Sequence, residues 1–157
     1  MVPFGLSSEQ FKAKFLVSLE KISPCFIREL KKLFTVSIPE SVLGAEIQIF
    51  LGDDCMETPS AWIYYEGKQK KINSTDASIF SGKSVELLSG DYAIPHFDEK
   101  YYINEEFNAG YLIANLTKQW LAESWWKAGG WDYPIPVLVM VHDDYGDGSS
   151  IKLSAVC

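Results

Sequence analysis

The sequence predicts an α+β fold: an N-terminal helical pair, a mostly antiparallel sheet, one long helix packed on it and a C-terminal β-hairpin. Three observations carry this expectation. Apolar residues recur at helical spacing up to Phe34, and again from Phe107 to Trp125. Segments between and after them change to a period of two. The order is helices, strands, long helix, hairpin, without the regular alternation of a doubly wound α/β fold. With 157 residues, 47% apolar and 22% charged, residues 1–157 read as a single globular domain. A chain of this length can bury a core without a metal or disulfide, and no cofactor is expected.

In chain order, Ser7 and Gln10 fit a capping box ahead of Phe11, Phe15, Leu19 and Ile22. Ser23-Pro24 reads as a second cap with proline at the first helical position. Phe26, Ile27, Leu30, Leu33 and Phe34 follow as its apolar face. The expectation is therefore two helices, or one bent at Pro24. Ala45, Ile47, Ile49 and Leu51 alternate with Glu46, Gln48 and Phe50, which makes a strand ending at Gly52-Asp53-Asp54. Ala61–Tyr65 is a second strand, and Lys68–Ile72 is expected to return beside it through Gly67. Ser84–Leu88 and Lys100–Ile103 read as short strands.

Asn104 is the expected cap of the long helix, with Glu105 and Glu106 in its first turn. Its apolar residues cover so much of the circumference that packing on more than one side is expected. Gly129-Gly130 supplies the stop. Val137–Val141 is wholly apolar and reads as a central strand buried on both faces, and Ile151 and Leu153 belong to a last, half-exposed strand.

Charge narrows the function classes. The net charge is −7, and it is uneven. Residues 1–36 carry six Lys/Arg against three Glu, or +3; residues 37–157 carry eight against eighteen, or −10. Such a surface repels phosphate backbones and anionic membranes, so neither nucleic acid nor a membrane is the expected partner; a basic protein is. The three cysteines, Cys25, Cys55 and Cys157, have no zinc or disulfide spacing, and reduced thiols in the cytoplasm are expected.

The chemistry-bearing candidates lie late in the chain. His142-Asp143-Asp144 could orient a base or hold a metal. Successive strand residues point to opposite faces, so the three converge only if the strand has already ended; a polar strand end is the simpler reading, and no metal site is expected. Asp143, Asp144, Asp147 and Gly148 depart from a calcium loop at Tyr145 and Ser154. A hydrolase would have to bring His96 to His142 and Asp143. Trp131, Asp132 and Tyr133 follow the long helix, and Asp143, Asp144 and Asp147 follow the next strand. Aromatic residues rimmed by acids suit a basic protein partner, and these six are the expected contacts.

The run from Trp120 through Trp125-Trp126, Gly129-Gly130, Pro134 and Pro136 to His142-Asp143, in an acidic domain of this size, resembles the small acidic bacterial toxin-immunity proteins. That resemblance implies a cytoplasmic non-enzyme that binds a cognate, often nuclease-like toxin domain and blocks its active site. Two other classes compete. An acidic export chaperone for a secreted effector would be a stable dimer by light scattering. The His96/His142/Asp143 hydrolase would lose activity in His142→Ala.

Overall fold

The computed structural model describes residues 6–52, 58–68, 78–89, 99–103 and 107–156. Its elements are α1 (Ser8–Phe34), β1 (Val42–Phe50), β2 (Ser60–Gly67), β3 (Ser84–Leu88), α2 (Glu99–Ile103), α3 (Ala109–Lys127), β4 (Val137–Val141) and β5 (Ile151–Lys152). The fold is α+β, as expected. The five strands form one sheet in the order β3-β2-β1-β4-β5. Three of its pairings are antiparallel; β1 and β4 run parallel, so the sheet is mixed.

The N-terminal helical pair is corrected to one continuous helix. The capping box forms as expected: Ser7 Oγ accepts from Gln10 N at 3.1 Å, and Gln10 Oε1 accepts from Ser7 N at 2.9 Å. Pro24 sits inside the helix on its exposed side, where the Glu20 carbonyl that loses its partner faces water. The opposite side carries a buried stripe, Phe11, Phe15, Leu19, Phe26 and Leu30, that runs through both halves. Ser23, next to the proline, faces inward. Its hydroxyl donates to Leu19 O at 3.1 Å and accepts the Trp120 indole N–H at 2.7 Å.

The long helix starts later than the sequence predicts. Asn108, in a left-handed conformation (φ 44°), is its N-cap, and its Oδ1 accepts from Tyr111 N at 3.2 Å. Phe107 lies in the preceding turn; residues 104–106 are outside the described region. Burial on more than one side is found: α3 packs on α1 as well as on β4 and β1. It stops at Gly129, whose φ of 95° requires glycine.

One strand expectation also changes: Lys100–Ile103 belongs to the helix α2. The expected return strand Lys68–Ile72 lies, beyond Lys68, outside the described residues; among the described strands β2 is flanked by β1 and β3.

Both long helices lie on one face of the sheet, over Ile47, Ile49, Ala61, Ile63, Tyr65, Val137, Val139 and Val141. Val137–Val141 is therefore not buried on both faces: its burial alternates, and Leu138 is 40% exposed. The apolar run satisfies a core on one side only.

Candidate functional site: an open sheet face and the cleft at its end

Strand parity sends Glu46, Gln48 and Phe50 of β1, Trp62 and Tyr64 of β2, and Leu138 and Met140 of β4 away from the helices. The register places them in rows. Tyr64, Glu46, Leu138 and Lys152 lie side by side, and so do Glu86, Trp62, Gln48 and Met140. Phe50 and His142 close the third row with ring centroids 4.8 Å apart. None of these side chains is fully buried. The face combines aromatic and aliphatic groups with two carboxylates.

At the far end of this face the parallel ladder stops at the pair Ile49–Val141. The two strands then part. β1 continues through Phe50 and Leu51 to Gly52, whose φ is 79°. β4 runs into a short 3-10 turn, His142–Asp144, in which Asp143 and Asp144 are both left-handed (φ 58° and 56°). Consecutive non-glycine residues there are strained, a state that Asp tolerates better than most. Between the parted strands lies a cleft of about 310 Å³ lined by Ile49, Phe50, Leu51, Gly52, Val141, His142, Asp143 and Tyr145. A cleft beyond the carboxyl ends of adjacent parallel strands is a recurrent ligand position in sheets.

The strand has thus ended before His142, and His142 and Asp143 do meet: Nε2 lies 3.5 Å from Asp143 Oδ2. The other ring nitrogen, Nδ1, is 3.0 Å from Gln48 Oε1. Gln48 is oriented in turn by its Nε2, which donates to the Glu46 carboxylate at 2.7 Å. Because a carboxylate only accepts, the Gln48 amide presents its oxygen to the histidine, and Nδ1 carries the proton. His96, the other half of the hydrolase expectation, lies outside the described residues. Among the described residues no three His, Cys, Asp or Glu side chains gather as a metal site.

The six expected contacts do not form one patch. Trp131, Asp132 and Tyr133 precede β4, and Asp143, Asp144 and Asp147 follow it, so a five-residue strand, about 16 Å, separates the groups. Trp131 is 46% exposed, with its ring centroid 6.5 Å from that of Trp126 in a T-shaped pair and with Lys152 Nζ 6.0 Å from its ring centroid. Lys152 is the cross-strand neighbour of Leu138, which joins Trp131 to the open sheet face. Asp132, Asp143 and Asp144 are exposed.

Tyr133 is corrected from a surface contact to a core residue. It is buried, its ring packs on Phe34 and Trp125, and its hydroxyl pairs with that of Tyr65 at 2.8 Å. Desolvation pushes both phenols above the ordinary tyrosine range, so they stay protonated as a structural pair.

Asp147 is also committed. It is ion-paired to the buried Lys118 ammonium, which further donates to Ser149 O at 2.8 Å and Ser149 Oγ at 2.9 Å. The hydrogen bond from Lys118, reinforced by the Ser149 backbone N–H and hydroxyl, lowers its carboxyl to about 2. Asn115 Oδ1 accepts from Asp147 N at 3.0 Å, and Tyr145 donates to Asn108 Oδ1 at 3.2 Å. Three polar residues of α3 and its cap therefore clamp the 142–149 loop and hold Asp143 and Asp144 outward.

Sequence reasoning missed Gln48, Phe50 and Lys118. The first two had a signal, since alternation already places them on the face away from the core. Lys118 had one as well: a cation on a helix turned inward on most sides needs a buried acceptor set. No described helix is long and apolar enough to cross a membrane. No family model matches the chain, and no curated protein or solved structure matches it either.

Proposed function

We propose that this chain is a non-enzymatic binding protein whose open sheet face docks a basic protein, with the role of an immunity protein that blocks a toxin domain in the cytoplasm. The observation that carries the reading is the outward apolar set of Trp62, Tyr64, Leu138 and Met140 on a sheet whose two described long helices both lie on the opposite side. A strand needs apolar residues on its core face only. Leu138 and Met140 on the other face are therefore surplus to folding and available to a partner.

The rim supplies charge of the right sign. Glu46 and Glu86 lie within the face, and Asp132, Asp143 and Asp144 are exposed at the two ends of β4. Carboxylates so placed steer a basic partner and raise its association rate in a salt-dependent way.

The test is binding of the protein encoded next to this one, at low and at raised salt. A complex that weakens as salt rises, and that Leu138→Arg disrupts, supports the reading. A basic neighbour that fails to bind at low salt, or binds equally well to Leu138→Arg, removes it.

A further inference from the structure

We infer that the cleft between the ends of β1 and β4 receives a guanidinium group, supplied by an arginine side chain of the docked partner. This rests on the reading of the sheet face as a protein-docking surface, because the cleft opens at the end of that face through Phe50 and His142.

The first argument is an accessible carboxylate. His142 Nδ1 donates to Gln48 Oε1, since the Gln48 amide is turned by Glu46. Asp143 Oδ2 lies 3.5 Å from His142 Nε2, and the Asp143 side chain is 87% exposed, so most of its acceptor sites stay open at the cleft. An N–H-rich cation takes up those sites.

The second argument is the wall. Among the described residues that line the cleft, Asp143 is the sole Asp, Glu, Lys or Arg, and Phe50 and Tyr145 contribute aromatic surface. A carboxylate beside rings suits a planar cation that both donates and stacks. Arginine does this with five donors in a fixed fork; lysine offers a point charge without a face. A metal ion is disfavoured, as two ligands are too few for a protein metal site and no third gathers here among the described residues.

The third argument is positional. Asp143 and Asp144 hold strained left-handed backbones, fixed by the Lys118–Asp147 clamp one turn further on. The clamp keeps the Asp143 carboxylate at the mouth of the cleft without any bound partner, which lowers the ordering cost of binding.

The experiment is a ¹H–¹⁵N NMR titration of the whole chain with N-acetyl-arginine-N-methylamide, beside its neutral citrulline counterpart, the lysine counterpart and free arginine. The expected result is saturable shifts at Phe50, Gly52, His142, Asp143 and Tyr145 with the blocked arginine, and none with citrulline. Asp143→Asn, which tolerates the left-handed backbone, should weaken the blocked arginine by about tenfold with the rest of the spectrum unchanged. Phe50→Leu should weaken it while leaving the carboxylate in place. Equal shifts with citrulline, shifts confined to other residues, or an unaltered affinity in Asp143→Asn overturn the inference. Free arginine binding more tightly than the blocked form overturns the assignment to a protein side chain and makes the cleft a small-molecule site. The probe needs no partner, so its failure leaves the docking of a basic protein standing, and failure of docking leaves the probe result standing.

Discussion

Trp120 on α3 donates its indole N–H to the Ser23 hydroxyl on α1 at 2.7 Å, and both residues are buried. The same hydroxyl donates onward to Leu19 O, so the proline-containing stretch of α1 is tied to α3 by a two-step hydrogen-bond chain. Phe26 stacks on the Trp120 ring at 4.7 Å beside it. Ser23→Ala removes the acceptor and leaves a buried indole N–H unpaired, at a cost of about 1–3 kcal/mol. Urea unfolding of Ser23→Ala, Trp120→Phe and the double variant measures this. The double variant should lose less than the sum of the singles, because the orphaned donor is gone.

Gly130 lies against the Trp125 indole, and a Cβ there would overlap the ring well inside van der Waals contact. Trp125 is fully buried among Phe34 and Tyr133, so it has no room to retreat. Gly130→Ala should therefore destabilise by about 1–3 kcal/mol through overpacking. Thermal unfolding and the near-UV dichroism of the tryptophans both report it. An unshifted midpoint with an unchanged spectrum would contradict the packing described.

Asp147 links stability to acid. Its folded-state carboxyl is lowered to about 2, chiefly by the hydrogen bond from Lys118. A depressed carboxyl stabilises the fold above the unfolded aspartate value and loses that contribution as pH falls through the folded one. The window therefore runs from about pH 4 down to the folded value, since a free aspartate titrates near 4. The urea midpoint of the wild type should fall across that window more steeply than that of Asp147→Asn. Identical slopes would mean that the ion pair does not hold the loop.

The loop acids should behave differently from one another. Asp143→Asn and Asp144→Asn remove exposed charges on a left-handed backbone that Asn also tolerates, and should slow association with a basic partner while moving stability by no more than about 0.5 kcal/mol. Asp147→Lys sets two cations together at a buried ammonium and should destabilise the loop outright. Stopped-flow association rates beside unfolding midpoints separate these outcomes.

Much of the architecture could be read from periodicity. The Ser7–Gln10 box, the stripe from Phe11 to Leu30, the alternation of β1 and the Gly129 stop are local features, and each stands where local rules place it. What escaped was long-range. Pro24 looks like a helix start because a short window cannot show the buried stripe running across it. Val137–Val141 looks buried on both faces because an apolar run does not say whether its second face meets a helix or a partner. Tyr133 looked like a surface aromatic until Tyr65, from another strand, supplied a buried hydroxyl. The candidate site was half legible. His142 and Asp143 were noticed, but their meeting depends on a left-handed turn, and Gln48 joins them only through the parallel pairing of β1 with β4.

That parallel pairing has a consequence for synthesis. β1 finds β2 soon after it on one side, but its other edge pairs with β4, which is made only after β2, β3, α2 and α3. Until Val137–Val141 leaves the ribosome, Ala45 to Ile49 presents an unpaired apolar edge, a template for stray strand addition. Truncation anywhere before β4 should therefore yield aggregate rather than a smaller folded unit, and a holding chaperone acting on the nascent chain has one obvious place to act.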